Sequence, residues 1–437
     1  MEGQAGYQGE ALRFLKKAKA GVGDVLEVKT KWGTVAGTLV PRYLYGTPGH
    51  IVLKLASGYN VGLKVSDLKG ATVKAQGEKP SFSTPSPPRS VKGLPKVLIL
   101  GTGGTIASRI DYRTGAVHPA VTAGDLHSLV PELSEIAQVE PEILFSILSE
   151  NITPTHWSKI AARVSKAVSA GFDGVVITHG TDTMGYTSAA LSFALQGIPI
   201  PVVLVGAQRS PDRPSSDATL NLIGGVSVAA HAPFSGVYVV MHLNESDDKL
   251  AVHGGTRVRK NHTSRRDAFV SVGVPLAAVW GKEGLEYVAE GLPPRSGKRR
   301  FTPQSKFDGR VALLKFYPSM PVPLLTSIGR KVRGLIVEGT GLGHMNSSTI
   351  ASLKTIIKEG AIVCMTSQCL NGRVNLSVYE TGRDLLGAGV IPLEDMLPET
   401  ALVKAMWAFG NRRSLRDVKA LMKSNVTGEM TSRTFPS

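Results

Sequence analysis

From Lys96 onward the chain alternates short apolar runs with segments of helical period, and this alternation restricts the possible folds more than any other feature. "KVLILG" (96–101), "GVVITHG" (174–180), "PVVLVGA" (201–207) and "GVYVVMHL" (236–243) are too short for helices and contain almost no charge. Between them lie "HWSKIAARVSKAVSAG" (156–171), apolar on one face, and the small, apolar "TSAALSFALQG" (187–197). Runs buried on both faces and separated by helices predict a parallel sheet in an α/β domain. The pattern pauses between Arg257 and Phe307, an irregular stretch with the basic run "RSGKRR". It then resumes with "RVALLKFY", "GLIVEGT" and "AIVCMTSQC", each followed by a plausible helix. We therefore expect a larger α/β domain over 96–308 and a smaller one over 309–437.

The 95 residues before this pattern read differently. "ALRFLKKAKA" is a short basic amphipathic helix. "GDVLEVKTKWGTVAGTLVPRY", "HIVLKLASGYNVGLKV" and "ATVKA" form short β-type segments punctuated by Gly and Pro. Closely spaced short strands predict a small β-rich, barrel-like domain over 1–75. The stretch "QGEKPSFSTPSPPRSVKGLP" (76–95), rich in Pro and Ser, is a semi-extended linker. Trp32, Tyr43, Tyr45 and Tyr59 are read as core or edge residues, with base stacking as the alternative.

A length of 437 residues suits two or three domains, and 42% hydrophobic with 19% charged residues is a globular composition. The net charge is +16; residues 1–95 carry 14 Lys/Arg against 6 Asp/Glu, a net of +8. A basic surface suits an acidic partner such as nucleic acid, and serves solubility equally well. Two cysteines make a disulfide framework unexpected and point to a reducing, cytoplasmic compartment. Cys364 and Cys369 have no nearby His pair, so they are read as buried thiols, and no metal is expected. Two long uncharged windows, Tyr186 to Gln208 and Leu222 to Asn244, are interrupted by Pro199, Pro201 and Pro233. They are read as buried helix–strand pairs, not membrane spans.

Open α/β sheets bind ligands beyond the C-terminal ends of their strands, and two predicted strand ends are chemically loaded. In "LILGTGGTIASRIDYRTG", Gly101, Gly103 and Gly104 permit a tight turn, with Thr105 directly after it and Tyr112 seven residues on. In "VVITHGTDTMGYTS", an apolar run ends in His179, Gly180, Thr181, Asp182 and Thr183. Lys260 in "RVRKNHTSRRDAF" is a third candidate. A threonine hydroxyl becomes a nucleophile when a neighbour takes its proton. Lysine or tyrosinate can do this, Asp182 can hold Lys260 or a substrate ammonium, and turn N–H groups can stabilise an oxyanion. Each motif has a plainer reading: a strand-end turn for "GTGGT", and a helix cap for Asp182 and Thr183. His179 is read as an orienting hydrogen-bond partner. "LVKAMWAFG" is read as core packing, with Arg412, Arg413 and Arg416 on a solvated helix after it.

Together "GTGGTIAS" and "THGTDTM" resemble the paired signatures of the bacterial-type L-asparaginase/glutaminase family. "LSEN" (148–151), "VGAQR" (205–209), Lys260, "TSQCLNGRV" and "YETGRDLLGAGVIPLEDMLPETALVKAMWAFG" continue the likeness in order over about 95–425. The resemblance implies an asparaginase-like body of two α/β domains. It implies Thr105 as primary nucleophile activated by Tyr112, and Thr181, Asp182 and Lys260 as a second catalytic group. Ser149, Glu150, Gly104 and Gly180 would line the substrate site. Where that family carries Ser-Gln-Asp, this chain carries Ser149-Glu150-Asn151. The complete layout, with its N-terminal domain and linker, is similar to the D-type subunits of archaeal glutamyl-tRNA(Gln) amidotransferase. That likeness implies hydrolysis of glutamine or asparagine, with no cofactor in this chain. It implies a partner, the amidotransferase's E-type subunit, that uses ATP and Mg²⁺ to amidate Glu-tRNA(Gln), and homodimer contacts through the asparaginase-like body. A free-standing asparaginase with an added domain is the alternative.

Overall fold

The computed structural model describes residues 6–41, 49–56, 60–77, 93–104, 106, 108–111, 116–119, 130–209, 215–297 and 301–433. In the N-terminal unit, the helix Gly9–Lys17 precedes strands β1 (Val25–Thr30), β2 (Gly33–Leu39), β3 (His50–Lys54), β4 (Asn60–Lys64) and β5 (Leu68–Ala75). They form one antiparallel sheet in the order β4-β3-β2-β1-β5. Alternation in β1 turns Leu26 and Val28 inward, where they meet Ala11 and Leu15 of the helix and Tyr7. The Tyr7 hydroxyl donates to the Val40 carbonyl (2.8 Å) and accepts from the Val52 amide (3.1 Å). Trp32 departs from the reading as a core or edge residue. It sits on the two-residue turn joining β1 and β2 and is 67% exposed. Period-2 alternation cannot place a residue on a hairpin tip. Tyr43, Tyr45 and Tyr59 lie outside the described residues, as does most of the linker.

The body contains β6 (Lys96–Gly101), the hairpin β7 (Ser108–Asp111) and β8 (Ala116–Pro119), β9 (Gln138–Ile143), β10 (Gly174–Thr178), β11 (Pro201–Val205) and β12 (Gly236–His242). It continues with β13 (Lys249–Gly254), β14 (Val258–Lys260), β15 (Phe269–Ser271), β16 (Ala278–Gly281) and β17 (Gly284–Val288). Eight of these form one sheet, ordered β17-β16-β13-β12-β11-β10-β6-β9. The five strands from β9 to β12 are mutually parallel. β13, β16 and β17 extend that sheet antiparallel, so it is mixed and not wholly parallel. The stretch 257–307 expected to be irregular supplies β14 to β17. Those strands have three to five residues and include "VRK" and "GLEYV", too short and too charged for a period to emerge.

Both faces of the parallel strands are covered. Val97, Ile99 and Val176 pack with the helix Ala218–His231, whereas Leu98, Leu100, Val175 and Ile177 pack toward the helices Pro154–Ser169 and Met184–Ala194. This two-sided burial is why these strands read as continuous apolar runs. The second α/β unit has four parallel strands in sequence order: β18 (Val311–Lys315), β19 (Gly334–Gly339), β20 (Ile362–Ser367) and β21 (Ile391–Pro392). The helix Pro398–Asn411 joins the two units. Its Trp407 stacks on Phe193 with ring centroids 5.6 Å apart, inside a core that includes Ile336, Ile362 and Cys364. Cys364 is buried as expected of a structural thiol, but Cys369 is exposed, because the strand carrying Cys364 ends two residues before it. Among the described residues no helix is long and apolar enough to cross a membrane.

Candidate active site

β6 lies between β9 and β10, so the chain leaves β6 on one side and returns to the other. The C-terminal ends of β6 and β10 therefore form a topological switch point, where open α/β sheets hold ligands. Gly101 pairs with Thr178 at that end, and the Thr102 hydroxyl donates to the Thr178 carbonyl (2.8 Å). The turn "GTGG" thus runs beside "THGTDT". Gly103 and Gly104 both have positive φ, 127° and 79°. A Cβ on Gly104 would stand 2.9 Å from the His179 carbonyl carbon and 3.0 Å from the Gly180 nitrogen. The two motifs touch through backbone because that side chain is missing. Thr105 follows Gly104 directly in the chain; Thr105 and Tyr112 themselves lie outside the described residues. We expect Gly104→Ala to push the motifs apart and to lower stability by about 1–3 kcal/mol. An unfolding midpoint equal to that of the unaltered chain would contradict the close backbone approach.

After β10 the chain makes a single 3₁₀ turn, Thr181–Thr183, and enters the helix Met184–Ala194. Lys260, at the end of β14, reaches across to this turn. Its Nζ donates to Thr181 Oγ1 (2.9 Å) and to Asp182 Oδ1 (2.8 Å). The lysine side chain is 14% exposed and the aspartate 71% exposed, so the triad opens to solvent on the Asp182 side. The Thr183 hydroxyl donates to the Ser149 carbonyl (2.8 Å), and a Cβ on Gly180 would lie 2.9 Å from Ser149 Oγ. Ser149, Gly104, Gly180, Thr181, Asp182 and Lys260 therefore converge, while Glu150 is exposed on the turn Ser149–Asn151 beside them. The "VGAQR" segment closes a further side, since a Cβ on Gly206 would stand 2.8 Å from Thr181 Cγ2. That segment is clipped by the buried carboxylate of Asp217, which accepts from the amides of Gln208 and Arg209. Asp217 was not anticipated from the sequence, and an isolated Asp before a helix gives no signal beyond a cap.

His179 is fully buried, and its ring is fixed by a chain of donors. Gly180's carbonyl can only accept, so Nδ1 (2.6 Å away) carries the proton. Nε2 then accepts from the Thr187 hydroxyl (2.8 Å), which itself accepts from Trp157 Nε1 (3.1 Å). Burial lowers the imidazole to about 4, against the opposing pull of the Gly180 carbonyl. A neutral, doubly bonded ring orients the motif, and it does not reach the triad as an acid. His253 is likewise lowered to about 4 by burial. Both bind protons less readily folded than unfolded. Their stabilisation is complete above the ordinary value of 6.5 and is lost as pH falls toward 4. Each withdraws up to about 3 kcal/mol over that window. Urea midpoints measured across the window should fall steadily with acidification; a flat profile would show that the two rings are not neutral when folded.

Comparison with known proteins agrees with this architecture. Residues 96–291 match the family described as Asparaginase, N-terminal, and residues 310–422 match the Glutaminase/Asparaginase C-terminal domain. Residues 20–73 match the GatD N-terminal domain. The chain is 48% identical to the D-type subunit of glutamyl-tRNA(Gln) amidotransferase from Pyrococcus furiosus, over 97% of this chain and 98% of that one. It is 49% identical to the protein of the same name from Metallosphaera sedula, over 98% and 97% respectively. The chain belongs to the GatD family of glutamyl-tRNA(Gln) amidotransferase subunits. Its α/β body is shared with a wider group of amidohydrolases. The thermostable L-asparaginase from Thermococcus kodakarensis superposes with a TM-score of 0.69 at 34% identity, covering 77% of this chain and all of that one. L-asparaginase I from Vibrio cholerae gives a TM-score of 0.67 at 29% identity, over 77% and 99%. This chain thus carries an asparaginase-type amidohydrolase body behind an additional β-rich domain.

Proposed function

We propose that this chain hydrolyses the side-chain amide of glutamine or asparagine through a threonyl ester and delivers the ammonia to a partner protein. The observation that carries the reading is the triad in which Lys260 Nζ stands 2.9 Å from Thr181 Oγ1 and 2.8 Å from Asp182, at the switch point beside the Gly104 turn. A threonine Oγ, of Thr105 or Thr181, attacks the carboxamide carbon. The C–N bond breaks, ammonia leaves with the hydroxyl proton, and an ester remains; water then cleaves the ester and restores the threonine. Lys260 and Tyr112 hold and move the hydroxyl protons. Ser149, Gly104, Gly180 and Asp182 enclose the amino-acid end of the substrate, with Glu150 at the rim. The partner, the amidotransferase's E-type subunit, amidates Glu-tRNA(Gln) with ATP and Mg²⁺. Two copies of this chain associate through their asparaginase-like bodies, and the work is cytoplasmic.

The second reading is a free-standing asparaginase, favoured by the way the body spans the whole of the Thermococcus kodakarensis enzyme. The N-terminal match over 20–73 and the near full-length identity to GatD proteins favour the first. The test is to purify the chain from its own cells with its associated protein and assay glutamine-dependent conversion of Glu-tRNA(Gln). Conversion that requires glutamine, ATP and this chain supports the proposal. Full amide hydrolysis by the isolated chain, unaffected by partner or tRNA, supports the free-standing enzyme.

A further inference from the structure

Lys260 is the last residue of a three-residue strand, and its ribbon, β14 paired with β15, stands apart from the eight-stranded sheet. Two backbone-paired strands alone do not hold a side chain to fractions of an ångström. Val258 and Phe269 seat the ribbon in the body's core, and Ser271 pairs with His253 at 2.9 Å; a second set of holds comes from the other α/β unit. Arg257, three residues before Lys260, has its side chain almost fully buried. Its Nε donates to the Val272 carbonyl on the far side of the ribbon (2.9 Å). Its Nη1 donates to the carbonyls of Asp395 (2.8 Å) and Glu429 (3.0 Å), and its Nη2 to the Asp395 carboxylate (3.2 Å). All three guanidinium nitrogens are thus engaged, on three separate segments of chain. Arg259, one residue before Lys260, pairs with Glu399 at 3.3 Å.

Asp395 is in turn held by the C-terminal tail that follows the helix Leu415–Lys423. The Thr431 amide donates to Asp395 Oδ1 (2.9 Å), Thr431 Oγ1 stands 2.5 Å from Asp395 Oδ2, and Arg373 donates to the Thr431 carbonyl (3.1 Å). The tail keeps its shape because Glu429 folds back to accept from the amides of Val426 (2.9 Å) and Thr427 (2.7 Å). Residues 425–433 lie beyond the match to the Glutaminase/Asparaginase C-terminal domain, which ends at 422.

We propose that the tail, through Thr431, Asp395 and Arg257, is a positioning element that sets where Lys260 stands relative to Thr181. Arg257, Asp395 and Thr431 are positioning residues; none of them bonds to the triad. The inference rests on the reading of Lys260 as part of the hydrolytic machinery. A shift of about 1 Å in a reacting group can cost about 10²-fold in rate, whereas substrate binding by Ser149 and Gly180 does not pass through the ribbon.

The experiment compares Arg257→Lys, Asp395→Asn, Thr431→Val and Thr431→Ser in the full chain, co-purified with its associated protein, by ammonia release from glutamine and from asparagine. Lys260→Met is measured in parallel. Below the unfolding midpoint of every variant, Arg257→Lys and Asp395→Asn should lower kcat by about 10-fold or more with KM within about twofold. Thr431→Ser, which keeps the hydroxyl, should restore what Thr431→Val loses. Lowered unfolding midpoints with unchanged kcat would overturn the proposal, as would a fall carried by KM alone. Should Arg257→Lys not fold, Asp395→Asn and the Thr431 pair decide. If Lys260→Met keeps full turnover, the reading of the site fails. If Lys260→Met is inactive while the folded positioning variants are normal, only this inference fails.

Discussion

Lys260→Met is expected to reduce ammonia release by about 10³-fold, with Thr181→Val losing a comparable amount. Lys260 is the cation of the triad, 2.9 Å from the Thr181 hydroxyl and 2.8 Å from the Asp182 carboxylate. Methionine keeps the length and apolar stem of lysine but has no proton to hold or move, so the change removes chemistry and leaves packing largely intact. Asp182 loses its partner, yet its carboxylate is mostly solvated, and an ion pair so exposed contributes little to stability. The expected signature is therefore a chain that folds normally, with an unfolding midpoint close to the unaltered value, and that releases almost no ammonia. If the proposed function holds, added free ammonia should restore conversion of Glu-tRNA(Gln) in the amidotransferase assay with ATP present, because the partner's amidation would accept ammonia from any source. A folded Lys260→Met chain that keeps normal amide hydrolysis would remove the triad from the mechanism. Loss of amidation that free ammonia fails to restore would place the lesion in assembly.

The legible parts of this site are those whose signal is local. "GTGGT" and "THGTDTM" end apolar runs, and the rule that ligands gather at strand ends puts both on one edge once the runs are read as a parallel sheet. That Lys260 meets Thr181 from 79 positions away depends on a ribbon outside the sheet, and no periodicity in "VRK" announces it. Its candidacy came from its place after a strand and loop and was strengthened by resemblance, and the contact came from the structure. Arg257 was not legible at all, since a buried guanidinium looks in sequence like any other basic residue in a basic stretch. The mixed character of the main sheet was missed for the related reason that β13 to β17 are short and partly charged. Trp32 shows the opposite error, a large aromatic read as a core or edge residue on type although its hairpin tip leaves it outside.

Lys404 carries the second large effect. The segment "LVKAMWAFG" reads as core packing, and Trp407, Ala405 and Ala408 are buried there, but Lys404 in its midst is fully buried too. Its Nζ lies 2.6 Å from the equally buried Glu429 carboxylate and donates to the Ser424 carbonyl. Burial pushes the ammonium below its ordinary value, and the neighbouring Glu429 charge and hydrogen bond oppose that shift. Removing one member leaves a charge in the core with no partner, so Glu429→Leu alone should cost about 3–5 kcal/mol. Replacing both, as Lys404→Met with Glu429→Leu, removes the unpaired charge and should recover part of that loss, because desolvating an ion pair consumes much of what the attraction returns; the remainder is the Val426 and Thr427 amides left without their acceptor. Three chemical-unfolding curves test this: the parent, Glu429→Leu and the double variant. Equal loss in the single and double variants would mean that the charges themselves are not what holds the tail, and that the Glu429 carboxylate acts by bonding the amides of Val426 and Thr427. The same comparison bears on activity. A double variant that regains stability while its tail still holds Asp395 should regain turnover, whereas stability without turnover would separate the folding of the tail from its hold on the Lys260 ribbon.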